Sequence, residues 1–313
     1  MLHMVTNGAT LSEAATDADI IAMGINPSKS QLHQGHYLTL YQAAAATLAR
    51  RDRRAIAFVD DREYHFNGAS VRPGESARYP KTAVVLEVQR LMHDFIQRLA
   101  DQLGEHSLPD RIAVKRMSDH MAESFDGVSQ GGELYALLAD QRRLLEEAFE
   151  FNQNDSGKRH MVRPVCPSCE YGPTSEELIG MERGRIRSDC QRATCRYGEY
   201  SVRVADGESN WGMHYAIDPL RDIFIAKHAD ARVLHVFGGD YGVSWGRSFM
   251  PKAQRLSLLA DMIGEGARVD HFVGPMLIRN GEKLAKSHGH ASEPLSVKEL
   301  QELLDGNRPY IEV

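Results

Sequence analysis

The sequence predicts an α/β fold, a Rossmann-like doubly wound parallel sheet interrupted by a small zinc-binding insertion. Three observations predict it. Short apolar runs of strand length alternate with longer stretches of helical spacing, the alternation breaks into a polar, arginine-rich stretch over 155–210, and that stretch holds all four cysteines of the chain. The first unit is "DIIAMGI" (19–25), read as a buried strand, followed by an alanine- and leucine-rich helix over 35–51 and a second apolar strand over 55–61. Strand, helix and strand in so short a span make a βαβ unit, which implies parallel pairing and a right-handed crossover. The pattern continues with a helix over 82–103, a strand over 111–117 and a helix over 133–153. After the break it resumes through 219–229, a strand over 231–237, a helix over 252–264 and a closing helix over 296–306. Met92, Met117 and Met262 fall on apolar faces and read as core filler.

This periodicity divides the chain into three parts. Residues 1–154 form the first half of the sheet domain with a helical connective segment, 155–210 the cysteine-rich insertion, and 211–313 the second half. No internal repeat or low-complexity segment appears. The 313 residues can bury a full core. No run of 18 apolar residues occurs, and the N-terminus lacks a basic region followed by an apolar one, so neither a membrane span nor a signal peptide is expected and the protein is placed in the cytoplasm. A net charge of -6 argues against a general nucleic-acid coat, although the basic run "ARRDRR" at 49–54 could meet phosphate.

Chemistry concentrates at two places. In a doubly wound sheet, ligands bind beyond the carboxyl ends of strands, where helix N-termini face anions. His33 and His36 lie at such a strand-to-helix passage, in "HQGH", and their spacing lets both imidazoles point the same way, while Gly35 lets a ligand approach the backbone. Two imidazoles and a helix N-terminus suit the negative charge that grows on a phosphoryl group in flight. As spacing alone, such a pair is more often a helix cap or a surface position. Some 250 residues later, "KLAKS" carries Lys283, Lys286 and Ser287 in a glycine-bounded loop that could close over a polyphosphate.

Taken together, HQGH at 33–36 and KLAKS at 283–287 resemble the paired motifs of class I aminoacyl-tRNA synthetases, whose catalytic domain is the HUP-type variant of the Rossmann-like fold. Within the class the chain is most similar to the lysyl-tRNA synthetases. There the first strand runs into a proline-serine loop, as in "GINPSKSQLHQGH", an aspartate pair ends the next strand, as in "FVDD", and a cysteine module precedes a tryptophan-aspartate segment, here "WGMHYAIDP", and a G-x-D turn, here "FGGDYG". The similarity covers about residues 18–292. Alanine stands in KLAKS where the family has a central serine, and FGGDY has glycine and tyrosine where the lysine branch often has lysine and histidine.

The resemblance implies activation of an amino acid, lysine or a lysine-like one, by ATP with Mg²⁺. ATP would lie over Gly24, Asn26, Ser28 and Gly35, with His33 and His36 stabilising the transition state, Lys283 and Lys286 holding the outer phosphates and Ser287 beside them. Trp211, His214 and Asp218 would line the amino-acid pocket. Gly238 and Gly239 permit a tight turn that brings Asp240 to a ribose hydroxyl, unless the turn is an ordinary strand end. Asp60, Asp61, Glu63 and Tyr64 could hold an ammonium group by charge-assisted hydrogen bonds, or form a solvated acidic loop. Lysyl-tRNA synthetases carry a helical anticodon-binding domain after this loop, whereas here 26 residues follow Ser287, so anticodon reading is not expected. The activated group would pass to the acceptor end of a tRNA or to a small amine. A non-catalytic paralogue that binds an amino acid or nucleotide is the alternative.

The cysteines are read from spacing. Cys166-x2-Cys169 and Cys190-x4-Cys195 supply four thiolates suited to tetrahedral Zn²⁺, which would staple an insertion too polar to build its own core. With four protein ligands that zinc would be structural. Four free thiols are the competing reading.

Overall fold

A computed structural model describes residues 10–26, 31–61, 82–120, 162–169, 178–182, 185–190, 193–203, 211–213, 218–242, 252–263, 268–279, 282–283, 296–305 and 310–312. The helix expected over 133–153 lies outside them. The chain forms two compact units, one from Met1–Val59, Thr82–Lys115 and Asp222–Val313, the other from Asp60–Lys81 and Arg116–Arg221.

The first unit is built on the predicted parallel sheet. A capped turn of helix, α1 (Leu11–Ala14), leads into β1 (Ile20–Ile25), α2 (Gln34–Leu48), β2 (Arg54–Val59), α3 (Thr82–Leu103), α4 (Leu108–Arg111) and β3 (Ile112–Arg116). Here β1 and β2 pair in parallel from Ile20↔Arg54 to Ile25↔Val59. Two more strands of this sheet, β9 (Val233–Phe237) and β10 (Val269–Val273), enter on the other side of β1, giving the order β10-β9-β1-β2-β3. The fold is therefore α/β and Rossmann-like, and its strand order reverses between β1 and β9. Every residue of β9, VLHVF, is buried, as a strand covered on both faces requires.

Helix packing follows composition. α2 is buried on nearly all sides, with Tyr37, Leu38, Leu40, Ala43 and Ala44 in the core, because its alanines let neighbouring backbones approach closely. α3 is one-sided. Val85, Val88, Met92, Phe95, Ile96 and Leu99 are buried at helical spacing, whereas Arg90 pairs with Glu87 and Asp94 on the exposed face. Of the methionines read as core filler, Met92 and Met117 are fully buried and Met262 half-buried.

The basic run 49–54 has an internal role that composition concealed. Arg53 is 3 % exposed, and its guanidinium donates to the carbonyls of Ala15, Ala18 and Ala46, tying the ends of α1 and α2 together. Arg50 pairs with Asp19 and Asp52. Arg111 donates to the carbonyls of Thr47, Arg50 and Arg53, satisfying the last turn of α2 and the loop after it. Two of the four arginines in that run are thus held in internal contacts rather than presented to phosphate.

Beyond the sheet, the same unit holds α6 (Lys252–Ile263), a small sheet of β11 (Met276–Arg279), β12 (Glu282–Lys283) and β13 (Tyr310–Glu312), and α7 (Val297–Asp305). β10, β11, β12 and β13 have no counterpart among the predicted strands. They are short and mix charged with apolar residues, so no period stands out. β13 pairs in parallel with β11, from Met276↔Tyr310 to Ile278↔Glu312.

The second unit contains the cysteine-rich segment. β4 (Val162–Pro164) pairs antiparallel with β8 (Trp211–Met213), and β5 (Leu178–Glu182), β6 (Arg185–Cys190) and β7 (Gly198–Arg203) form an antiparallel sheet. Along β6, exposed Arg185 and Arg187 alternate with buried Ile186, Ser188 and Cys190, the period of a sheet with one wet face. α5 (Asp218–Ala229) runs across the boundary between the two units in sequence.

Candidate functional site

β1 ends at Ile25, Asn26 follows half-buried, and α2 opens at His33, its N-cap residue, with extended backbone angles. No side-chain hydrogen bond caps this helix. The first turn closes instead through His36 N–H to the His33 carbonyl at 2.9 Å and Tyr37 N–H to the same oxygen at 3.2 Å. The His33 and His36 rings lie against each other, centroids 3.7 Å apart and planes tilted by 31°. Gly35 makes that possible: a Cβ there would stand 2.8 Å from Cε1 of His33. The space that glycine opens is thus taken by the His33 ring in this structure. The result is two imidazoles at the positive end of a helix dipole, beside the point where strand order reverses.

Across that point, β9 ends at Phe237, and Gly238 leads into a 3₁₀ turn, Gly239–Gly242, that carries Asp240. Stacked rings brace the turn from behind. Tyr241 lies on Phe237 at 4.5 Å, Phe237 lies on His235 at 3.8 Å, and Nδ1 of His235 meets Oδ2 of the fully buried Asp222 at 2.6 Å. The Gly274 N–H donates to the Phe237 carbonyl at 2.9 Å. Next comes β11, which packs against both α2 and the 3₁₀ turn, and its antiparallel partner β12 carries Lys283 opposite Ile278. The backbones bearing His33, His36, Asp240 and Lys283 therefore belong to one unit, on elements that each pack against β11.

Other candidates distribute as follows. Gly24 lies exposed in β1. Lys286, Ser287, Ser28, Glu63, Tyr64 and His214 lie outside the described residues, and Trp211 is described only in its backbone, within β8. In the second unit, Asp61 accepts from the Ser118 N–H at 2.9 Å and from its hydroxyl at 2.5 Å, one oxygen to each donor. The aspartate thereby fastens the turn that follows β3. Asp218 is buried and accepts from the Arg221 guanidinium at 2.9 Å.

The four cysteines converge. Their Sγ atoms all lie within 4.8 Å of one another, with Cys166–Cys195 at 3.7 Å and Cys169–Cys190 at 3.6 Å. A tetrahedral Zn²⁺ with Zn–S bonds of about 2.3 Å has sulfur edges of about 3.8 Å, so the donor set fits that ion. The Ser168 hydroxyl, with Cys169, the Tyr197 N–H and Cys166 adding to it, holds the Cys195 thiol down to about 7 against the opposing effect of burial. A thiol so poised is readily deprotonated, as metal ligation requires.

Sequence reasoning missed Ser118 and the Asp222–His235 pair. The second had a signal: a histidine inside the apolar run VLHVF must find a buried polar partner. For Ser118 there was none, because its contact with Asp61 joins the ends of two strands far apart in the chain.

No protein-family profile matches the chain, and no curated protein sequence matches it. Solved structures do. The matched folds are those of aminoacyl-tRNA synthetases. A putative arginyl-tRNA synthetase from Campylobacter jejuni aligns over 95% of this chain and 65% of its own, at 13% identity and a TM-score of 0.33. A C-terminally truncated mitochondrial tyrosyl-tRNA synthetase from Aspergillus nidulans aligns over 95% of this chain and 78% of its own, at 11% identity and 0.40. A glutamate tRNA ligase from Elizabethkingia meningosepticum, in complex with its amino acid, aligns over 87% and 52%, at 14% identity and 0.34. The chain spans less than two thirds of the Campylobacter and Elizabethkingia proteins. Among the described residues, no helix is long and apolar enough to cross a membrane.

Proposed function

We propose that the chain activates an amino acid, lysine or a lysine-like amino acid being favoured, by converting it with ATP to an aminoacyl-adenylate. The amino-acid carboxylate attacks the α-phosphorus in line, the bond from that phosphorus to the bridging oxygen breaks, and pyrophosphate leaves. What supports this reading is the adjacent pair His33 and His36 at the N-terminus of α2, beside the reversal in strand order. Imidazole N–H groups and a helix dipole fixed before the reaction stabilise charge as it develops on the phosphoryl oxygens, at no cost of reorganisation.

The remaining roles follow from charge and place. Lys283 and Lys286 neutralise the departing pyrophosphate, with Ser287 beside them, and Mg²⁺ brought with ATP supplies further charge on the same oxygens. Gly24, Asn26, Ser28 and Gly35 accommodate the nucleotide, and Gly238 lets Asp240 reach a ribose hydroxyl. Asp61, Tyr64, Trp211, His214 and Asp218 hold the amino acid. Cys166, Cys169, Cys190 and Cys195 hold a structural Zn²⁺. The acceptor of the activated group is the end of a tRNA or a small amine.

Amino-acid-dependent exchange of pyrophosphate into ATP, measured across the twenty amino acids and lysine derivatives, tests the reaction. Lys286→Ala should lower kcat by about 10²-fold or more while leaving the KM for the amino acid nearly unchanged, since a group that acts on the leaving phosphates contributes in the transition state. Undiminished exchange in that variant would reject the role given to the loop. Calorimetric binding of ATP and amino acid without any exchange would reject the enzyme.

A further inference from the structure

Beneath the turn that carries Asp240 lies a polar pair in a strand that apolar residues alone would fill. β9 reads VLHVF, and all five residues are buried. His235 and Phe237 are two apart, so they project from the same face of the strand. There the rings form a column. His235 lies on Phe237 with centroids 3.8 Å apart and planes 15° from parallel, and Phe237 lies on Tyr241 at 4.5 Å and 13°. Asp222 of α5 stands at the foot of the column, its Oδ2 2.6 Å from Nδ1 of His235. His271, the register partner of His235 on β10, walls the column from the side. Its ring is 5.3 Å from that of Phe237, and its Nδ1 lies 2.7 Å from the Ser257 hydroxyl of α6.

Stability alone gives little reason for the pair at the foot. Asp222 is fully buried and His235 is 1 % exposed, and the free energy of desolvating a carboxylate often exceeds what its partner offsets. Apolar side chains of like size would fill the same space without that cost. What the pair adds is direction. A carboxylate only accepts, so Nδ1 of His235 holds its hydrogen toward Asp222, and the ring cannot turn over without breaking the bond. The plane of His235 sets that of Phe237, and through it that of Tyr241. The Tyr241 N–H donates to the Gly238 carbonyl at 3.0 Å, which closes the turn, and Asp240 is the neighbour of Tyr241 within it.

We propose that Asp222 and His235 are positioning residues for the nucleotide: they fix the column of rings, the column fixes the 3₁₀ turn, and the turn holds Asp240 where it meets the ribose. This rests on the proposed activity and on the ribose contact given there to Asp240. Both residues act through the turn, from below it. Because Asp240 adjoins Tyr241 in the chain, a ring that loses its support carries the aspartate with it, and a displacement of about 1 Å is enough to weaken a directed contact severely.

The test measures pyrophosphate exchange by the full chain with ATP, 2′-deoxyATP and 3′-deoxyATP, alongside urea midpoints. The unaltered chain should lose about tenfold in kcat/KM when the contacted hydroxyl is missing, and Asp240→Ala should abolish that preference. His235→Leu should abolish it too, raising the KM for ATP about tenfold while the deoxynucleotide that lacks the contacted hydroxyl is used nearly as before. Adding Asp240→Ala to His235→Leu should change the preference no further, since both act on one contact. Asp222→Leu should repeat the pattern, and Asp222→Asn, whose amide oxygen can stand in for Oδ2, should restore most of the preference. If His235→Leu lowers all three nucleotides in proportion, or keeps the preference, the positioning role is overturned and the proposed activity stands. Equal use of the three nucleotides by the unaltered chain overturns the ribose contact and the inference with it. Absence of both exchange and calorimetric ATP binding in the unaltered chain rejects the proposed function itself. Should the leucine variants fail to fold, Tyr241→Leu, at the half-buried top of the column, is read against the same outcomes.

Discussion

Single side chains decide whether the histidine pair can form. Gly35 faces the His33 ring so closely that a methyl group would stand 2.8 Å from Cε1, and the ring would have to swing away. Alanine is otherwise preferred in a helix by about 1 kcal/mol. Gly35→Ala should therefore leave the melting temperature unchanged or raise it, while displacement of the ring lowers the kcat of exchange by about 10²-fold. Unchanged kcat would separate His33 from the reaction. Arg53 acts on stability alone. Its buried guanidinium serves three carbonyls, and burial pulls its pKa below the usual arginine range. Arg53→Met keeps most of the volume but strands those acceptors, which should cost about 3 kcal/mol in urea unfolding. That His33 and His36 lie together was legible from their spacing, whereas the fate of Arg53 was not, because nothing in "RRDRR" says which arginine turns inward.

At the scale of elements, close approach governs the joint between α2 and the passage from β10 to β11. Gln42 of α2 is 1 % exposed, and its Oε1 would lie 2.4 Å from a Cβ at Gly274, between β10 and β11. Gly274→Ala should destabilise the protein by about 1–3 kcal/mol through overpacking, read as a lower urea midpoint at unchanged m-value. Pairing it with Gln42→Ala should recover part of the loss; if the double variant is as unstable as the sum of the singles, the contact is not the cause. The same joint shows where sequence reading stops. β1, α2 and β2 were legible because burial on both faces produces long apolar runs, while β10 to β13 were not, since strands this short at a sheet margin or in a small sheet are broken by charged residues before a period can show.

For the molecule as a whole, the division into two units matters most. The first buries a broad core around α2 and the parallel sheet. Among the described residues near the cysteines of the second, the buried apolar side chains are Val165, Ile186, Tyr200 and Val202, and a metal held there would add to its folding free energy. Removing zinc with a chelator under reducing conditions should open 162–203 to limited proteolysis and leave the parallel sheet resistant. Equal resistance of both segments after the metal is gone would show that the insertion stands without it.

Composition and spacing by themselves determined the α/β class, the parallel sheet and the grouping of the four cysteines. Each of these is written in a local pattern or a residue type whose chemistry does not depend on the fold. Only the tertiary structure decided that the His33 ring fills the space over Gly35, that Asp61 is held by Ser118, that His235 leans on Asp222, and that Cys166 and Cys190 are buried while Cys169 and Cys195 are not. Those facts arise from contacts between segments far apart in the chain, and the packing that brings them together has no signature in any one of them.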